Sequence, residues 1–305
     1  MGAYYLMMDV GGNGIKAGVM DGTGKFQGEI QWFPARAKED HETIFSNFAD
    51  IIAQKETGLP DNKYFSGIGM AFPGPFDYLR GVSLMRGLDK YDAIFGMDIQ
   101  EEIKKRLPQR RKAENTEGCR FLFLHDVEAF ALGACIAGPA ADCRKVFCLC
   151  IGTGAGSAFL DNGNMIKDRK DIPANGWIYK EAFRDGVIDD YLSTRGLMRI
   201  AGQHFESENV PDGAELSGLA AKGDPKALAV FCEFGRCVEE AVIPFLKRYG
   251  PDGCLVGGQI AKSFSWFGEG LIRFCEDAGI KIYPVSDTPR WTLTGLYEKF
   301  CREEM

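Results

Sequence analysis

Histidine and metal-site spacing are what this chain has least of. Its 305 residues include three histidines, His41, His125 and His204, and all lie far from the cysteines in sequence. There are ten cysteines but no Cys-x-x-Cys, so the ligand spacing of a structural zinc site is missing. Cys148 and Cys150 fall in a strand-like run, and Cys232 and Cys237 in a helical one. These are settings for free, buried thiols in a reducing compartment. No apolar run reaches the length of a membrane span. The N-terminus, Met1-Gly-Ala-Tyr-Tyr-Leu6, enters a strand with no basic n-region or cleavage site, so the expected location is cytoplasmic, with no membrane partner. Positive charge is also short. Lys and Arg number 36 against 43 Asp and Glu, a net charge of −7, which argues against nucleic acid as the main partner. The remainder, 45% hydrophobic and 26% charged, is ordinary for a soluble globular protein, and the length suits two domains.

Two glycine-rich turns of similar build carry most of the information. The first lies in Leu6-Met-Met-Asp9-Val-Gly11-Gly12-Asn13-Gly14-Ile-Lys16, the second in Val146-Phe-Cys-Leu-Cys-Ile-Gly152-Thr153-Gly154-Ala-Gly156. Each sits between two apolar strands, and the second strand ends at a hairpin signal, Asp21-Gly22 or Asn162-Gly163. A dinucleotide fingerprint must open a helix; the stretch after Gly156 is short and ends at a turn. A Walker A loop needs Gly-Lys-Ser/Thr, whereas Lys16 stands between Ile15 and Ala17. Small residues in such turns let backbone N–H groups approach a phosphate. Structurally, they equally serve as tight hairpins.

Along the chain, residues 4–33 predict strands, and residues 40–57 a helix with Ile44, Phe48, Ile51 and Ile52 on its apolar face. Phe65 to Phe72 predicts a buried strand ending at Pro73-Gly74-Pro75. A short helix over Ile99 to Leu107 and a polar loop over Arg110 to Cys119 follow. Phe121 to Leu124 is a strand delivering His125 and Asp126 to its end, with a helix over Val127 to Ala137. Residues 164–190 lack a clear period and are expected to be loop-rich. Pro225 to Tyr249 predicts a long helix, started by Pro225 and kinked at Pro244. Cys254 to Gly258 is a short strand entering a third glycine turn. Ile260 to Cys275 predicts a helix, Ile280 to Tyr283 a strand, and Thr292 to Cys301 a closing helix. The class is α/β. The expected domains are 1–120 and 121–305, with the last helix, about 292–305, packing back on the first.

Three glycine turns and an acid at a strand end share one chemical meaning. Phosphoryl transfer needs oriented N–H donors, a carboxylate for the metal and a base for the attacking hydroxyl. Asp9 could hold Mg²⁺, directly or through water, and Asp126 could take the proton. A strand-end Asp is also a common helix N-cap.

Together these segments resemble the ROK group of bacterial sugar kinases, in the actin/hexokinase/Hsp70 ATPase superfamily. Asp9-Val-Gly-Gly-Asn-Gly-Ile-Lys16 is similar to the family's phosphate-1 pattern, and Gly152-Thr-Gly-Ala-Gly156 to phosphate-2. Gly67 to Asp77 resembles Gly-Ile-Gly-x-Pro-Gly-Pro-Val-Asp. His125-Asp126-Val-Glu-Ala-Phe-Ala-Leu-Gly133 resembles the segment whose Asp is the catalytic base. Gly223 to Ala227 and Leu255-Val-Gly257-Gly258-Gln-Ile260 resemble the late helix and the adenosine motif, and Tyr191 to Leu197 a further signature. The resemblance covers nearly the whole chain. It implies a two-domain actin-like (ribonuclease H-like) fold with a cleft between domains, and ATP-dependent phosphorylation of a sugar hydroxyl with Mg²⁺. Asp126 is then the base. Asp9, Gly11, Gly12, Asn13, Lys16, Gly152, Thr153, Gly154, Gly257 and Gly258 serve the nucleotide and its phosphates. Gly74, Pro75, His125, Asp126 and Asp189 serve the acceptor. The partners are a sugar and ATP, with a homodimer left open.

The departures fall on the acceptor side. The family's zinc segment is absent, as is its Gly-Glu-x-Gly-His; Ala174 and Trp177 align with that Glu and His. No zinc is expected. His125 replaces an Asn, Asp189 a Glu, and Asn13 a Thr. Asp189 beside Asp190 also reads as a helix-start carboxylate. Phe72-Pro-Gly-Pro75 and Gly87-Leu-Asp-Lys-Tyr91 are similar to polyphosphate-dependent glucokinases, an alternative donor class, although no long basic track is evident. A non-catalytic sugar sensor is the other alternative. A repressor, which in this family carries an N-terminal helix-turn-helix, is disfavoured because the phosphate-1 strand begins within the first few residues.

Overall fold

A computed structural model describes residues 2–60, 63–108, 119–206 and 210–304. The loop expected over Arg110 to Cys119 lies, up to residue 118, outside the described residues. The chain divides into two units, Met1–Ala134 with Pro289–Met305, and Cys135–Thr288.

In the first unit, β1 (Tyr4–Val10), β2 (Gly14–Asp21) and β3 (Gln31–Pro34) form an antiparallel meander, followed by α1 (His41–Glu56). Asp40 caps α1, its carboxylate accepting the Thr43 N–H, as a capping side chain does. Then come β4 (Gly67–Phe72), a small hairpin of β5 (Phe76–Asp77) and β6 (Val82–Ser83), α2 (Ile99–Arg106), β7 (Arg120–His125) and α3 (Asp126–Ile136). The sheet order is β3-β2-β1-β4-β7, with β1, β4 and β7 parallel. Because β7 pairs with β4, residues 121–134 belong by contact to the first unit, although the sequence assigns them to the second domain.

Successive side chains of a strand face opposite sides, and both sides of β1 are covered. Leu6, Met8 and Val10 pack with Ile44, Phe45 and Phe48 of α1 and with Phe72 and Tyr91. Tyr5 and Met7 pack with Leu293, Leu296 and Phe300 near the C-terminus. Fully burying a side chain such as Phe48 or Phe300 contributes roughly 1.5–3 kcal/mol.

In the second unit, β8 (Lys145–Ile151), β9 (Ala155–Asp161) and β10 (Asn164–Met165) again form an antiparallel meander. Asn162 and Gly163 both have positive φ at its second turn, as a two-residue hairpin requires. The hairpin β11 (Ala182–Phe183) and β12 (Gly186–Val187) leads into helices α4 (Ile188–Tyr191), α5 (Thr194–His204), α6 (Gly213–Ala221) and α7 (Pro225–Tyr249). Next are β13 (Gly253–Gly257), α8 (Phe264–Phe267), α9 (Glu269–Asp277) and β14 (Lys281–Pro284), after which α10 (Thr288–Glu304) belongs to the first unit. The order β10-β9-β8-β13-β14 repeats the layout of the first sheet, so the likeness of the two glycine turns extends to the sheets around them.

Helix α7 runs through Pro244 without interruption, from the Asp224 cap to Gly250, whose φ is 60°. The single helix expected over Ile260 to Cys275 is instead a 3₁₀ turn, Ile260–Ser263, then α8 and α9. Gly268 separates the last two and lies under Phe264, where an added Cβ would stand 2.5 Å from the ring. Helical periodicity alone does not register such a break. Helix α10 also begins four residues earlier than expected. It crosses α3 at two glycines: a Cβ on Gly133 would lie 2.0 Å from the Trp291 carbonyl oxygen, and one on Gly295 1.8 Å from that of Ala129.

All ten cysteines are free, six of them buried; Cys232 is exposed. Among the described residues no helix is long and apolar enough to cross a membrane.

Candidate active site

In the first unit, three adjacent parallel strands bring their C-terminal ends together. β1 ends beside Asp9, β4 leads to Pro73-Gly74-Pro75, and β7 ends at His125. Their registers align Asp9 with Ala71 and Phe72 with His125.

Asp9 and Lys16 are directly opposite on the antiparallel pair β1–β2, so their side chains project to the same face. Lys16 Nζ lies 3.1 Å from Asp9 Oδ2. The Asp9 side chain is only 14% exposed. Burial pushes its carboxyl above the usual carboxylate range; the Lys16 charge opposes this and the Asp126 charge adds to it. Asp9 and Asp126 are therefore electrostatic neighbours.

Asp126 opens α3. Its Oδ1 accepts the N–H of Val127 at 2.8 Å and lies 3.3 Å from His125 Nδ1. That bond goes to the next residue rather than to the N–H two or three further on that a capping carboxylate takes. The side chain is 39% exposed, and Oδ2 has no partner among the described residues. Gly74 lies against His125: a Cβ there would stand 3.7 Å from the ring. The Tyr78 ring meets His125 edge-on at 5.9 Å, and its hydroxyl donates to the Phe72 carbonyl at 3.1 Å.

The first glycine turn closes on itself through Gly11 N–H to Gly14 O, 3.0 Å. The N–H groups of Gly12 and Asn13 have no partner among the described residues. Two residues absent from the sequence-based site hold this turn. Tyr91, fully buried, donates its hydroxyl to Gly11 O at 3.0 Å. Trp32 on β3 lies across Gly14, its Nε1 2.0 Å from where a Gly14 Cβ would be. The only sequence hint of Tyr91 was its place in the Gly87–Tyr91 segment.

The second unit repeats the device. Gly152 N–H donates to Gly154 O at 3.0 Å, leaving the N–H groups of Thr153 and Gly154 without partners among the described residues. Thr194 donates both its N–H and its hydroxyl to Gly152 O. Asp189 Oδ1 accepts the Ala155 N–H at 2.8 Å and Oδ2 lies 3.3 Å from Arg195. A Cβ on Gly154 would stand 2.8 Å from Asp189 Oδ1. Gly257 pairs with Cys150. Gly258, at φ 93°, packs so closely that a Cβ would lie 2.3 Å from Ile151 O. Ser157 anchors the region aligned with the family's lost motif, bonding Gly176 O at 2.6 Å and the Ile178 N–H at 2.9 Å.

The expected residues thus fall into two groups. Asp9, Gly11, Gly12, Asn13, Lys16, Gly74, Pro75, His125 and Asp126 share one end of the first sheet. Gly152, Thr153, Gly154, Asp189, Gly257 and Gly258 cluster at one end of the second. Among the described residues no three His, Cys, Asp or Glu side chains form a metal cluster.

A model of the ROK family matches residues 5–271. The chain belongs to the ROK family. A glucokinase of Halalkalibacterium halodurans is 21% identical over 282 residues, covering 85% of this chain and 81% of that protein. The crystal structure of a ROK family glucokinase from Streptomyces griseus, in complex with glucose and AMPPNP, matches with a TM-score of 0.71 and 18% identity, over 97% of this chain and 99% of that one. A ROK family transcriptional regulator, a homologue of the E. coli MLC protein, matches with a TM-score of 0.76 and 16% identity, over 99% of this chain and 80% of that one. The fold is accordingly the two-domain, actin-like α/β fold of ROK proteins.

Proposed function

We propose that this ROK protein transfers a phosphoryl group from ATP to a hydroxyl of a sugar or sugar derivative. The observation that carries this reading is the shared end of the first sheet. There a partly exposed carboxylate with an open oxygen, Asp126, neighbours a buried carboxylate, Asp9, and a turn with two unpartnered N–H groups.

Asp126 would accept the proton of the attacking hydroxyl through Oδ2, while its Oδ1 stays fixed on Val127. Gly74, Pro75 and His125 form the acceptor side. The N–H groups of Gly12 and Asn13, and those of Thr153 and Gly154 in the second unit, would donate to phosphate oxygens. Donors held in place before reaction need no reorganisation in the transition state. Gly257 and Gly258 would take the adenosine end.

The residues also fit magnesium. Mg²⁺ is usually held by one or two carboxylates, with water and substrate phosphates completing the shell. A largely buried carboxylate beside free phosphate donors is such a ligand, and Asp9 would hold the ion directly or through water. When bound, the ion neutralises charge on the phosphate oxygens.

The regulator neighbour supports a second reading, a sugar sensor without turnover; retention of both Asp9 and Asp126 favours transfer. The test is ADP release with Mg-ATP across a panel of hexoses, amino sugars and glucosides. Transfer to at least one sugar is expected. Sugar binding with no turnover anywhere in the panel would establish the sensor instead.

A further inference from the structure

We infer that Lys90 is a second cationic contact for the terminal phosphoryl group of the donor, seated over the first glycine turn, a role that rests on the phosphoryl-transfer reading of the same site. The Lys90 stem lies against Gly12: the position a Gly12 Cβ would take is 3.2 Å from Lys90 Cδ and 3.7 Å from its Cβ. The ammonium is two bonds beyond Cδ, so it stays near the turn and its two unpartnered N–H groups.

The neighbouring cations are already engaged. Lys16 is paired with Asp9 and Lys38 with Asp89. Lys90 has no ion pair among the described residues. Its backbone is held at the next residue. Tyr91, at φ 58°, donates its N–H to Ala37 O at 2.6 Å and its hydroxyl to Gly11 O. A lysine stem laid on a surface keeps its charged head toward water and any anion there. Gly12 accordingly serves two partners, since a side chain at this position would displace Lys90 as well as obstruct a phosphate.

The strand order places this turn next to the base. β1, β4 and β7 are successive neighbours, and the Asp126 charge reaches Asp9. A phosphoryl group held at the first turn shares this end of the sheet with Asp126, as the group to be transferred must. A cation there favours a donor that still carries this group over the product that has lost it. ATP and inorganic polyphosphate both end in such a group.

The test is calorimetric titration of wild type, Lys90→Gln and Lys90→Arg with Mg-AMPPNP, Mg-ADP and tripolyphosphate. A charge-assisted contact corresponds to about tenfold in affinity. Lys90→Gln is expected to weaken AMPPNP binding by about that factor and to leave ADP within about twofold, with Lys90→Arg recovering most of the loss. A parallel loss with tripolyphosphate adds polyphosphate as a donor; a loss with tripolyphosphate alone names polyphosphate as the source. Wild-type affinities in Lys90→Gln, or equal losses for AMPPNP and ADP, would overturn the assignment of Lys90 alone. A wild-type protein that binds none of the three would overturn the donor reading together with it.

Discussion

The Tyr91 hydroxyl donates to the Gly11 carbonyl at 3.0 Å, joining residues 80 positions apart. Burial and the nearby Asp9 charge push the Tyr91 phenol well above its ordinary pKa, so it remains a donor at every working pH. Tyr91→Phe removes this part-buried hydrogen bond, a cost of about 0.5–1.5 kcal/mol. The expected result is a lower Tm and a higher KM for the phosphate donor, with acceptor KM little changed. Steady-state kinetics with each substrate varied in turn checks this; a rise in acceptor KM alone would place Tyr91 elsewhere in the mechanism.

Asp126→Asn removes the proton acceptor but keeps the shape and the bond to Val127. General-base catalysis contributes roughly 10²–10⁴-fold. The variant's kcat is expected to fall by that range while calorimetric nucleotide affinity stays near wild type. Near-full turnover would end the base assignment.

Asp9 carries a stability cost that depends on pH. Its carboxyl is raised by burial, whereas an unfolded Asp titrates at about 3.9. Between that value and the raised folded value, the native chain holds more protons than the unfolded one. Stability therefore falls as pH rises through this window, and the cost is fully present above it. Asp9→Asn is expected to raise Tm at neutral pH and flatten this dependence. The same variant should lose the thermal shift that Mg-nucleotide gives the wild type, since only ligands binding the native state raise Tm. An undiminished nucleotide shift would remove Asp9 from the phosphate site.

Asp189, expected on the acceptor side, accepts the Ala155 N–H in the second glycine turn. Asp189→Ala leaves that N–H without its partner and leaves Arg195 paired with Asp190 alone. Donor KM is expected to rise by at least as much as acceptor KM. A rise confined to the acceptor would return Asp189 to sugar recognition.

Local chemistry made much of this fold legible. Helix α7 is bounded by the Asp224 cap, Pro225 at the first turn and left-handed Gly250, each a signal carried by one residue. The strands flanking both glycine turns were equally plain from their apolar runs and Asn-Gly or Asp-Gly ends. Tyr91 was not legible as a support for the turn: a left-handed tyrosine satisfying a carbonyl 80 residues away leaves no local pattern. The Gly268 break was hidden because the apolar period runs on across it, and the ring that lies over the glycine, Phe264, leaves no mark on that period. Asp189 could be placed by motif order, but its bond to Ala155 depends on how two distant segments meet.

The crossing of α3 and α10 at Gly133 and Gly295 has a consequence for how the protein is made. Domains generally fold as they emerge from the ribosome, N-terminal first. Here β1 is translated long before Leu293, Leu296 and Phe300, on which one side of it packs. These residues leave the exit tunnel only after the entire second unit. The nascent first unit must wait with that apolar side uncovered, and α3, which begins at Asp126, gains its α10 partner only after the second unit has been made.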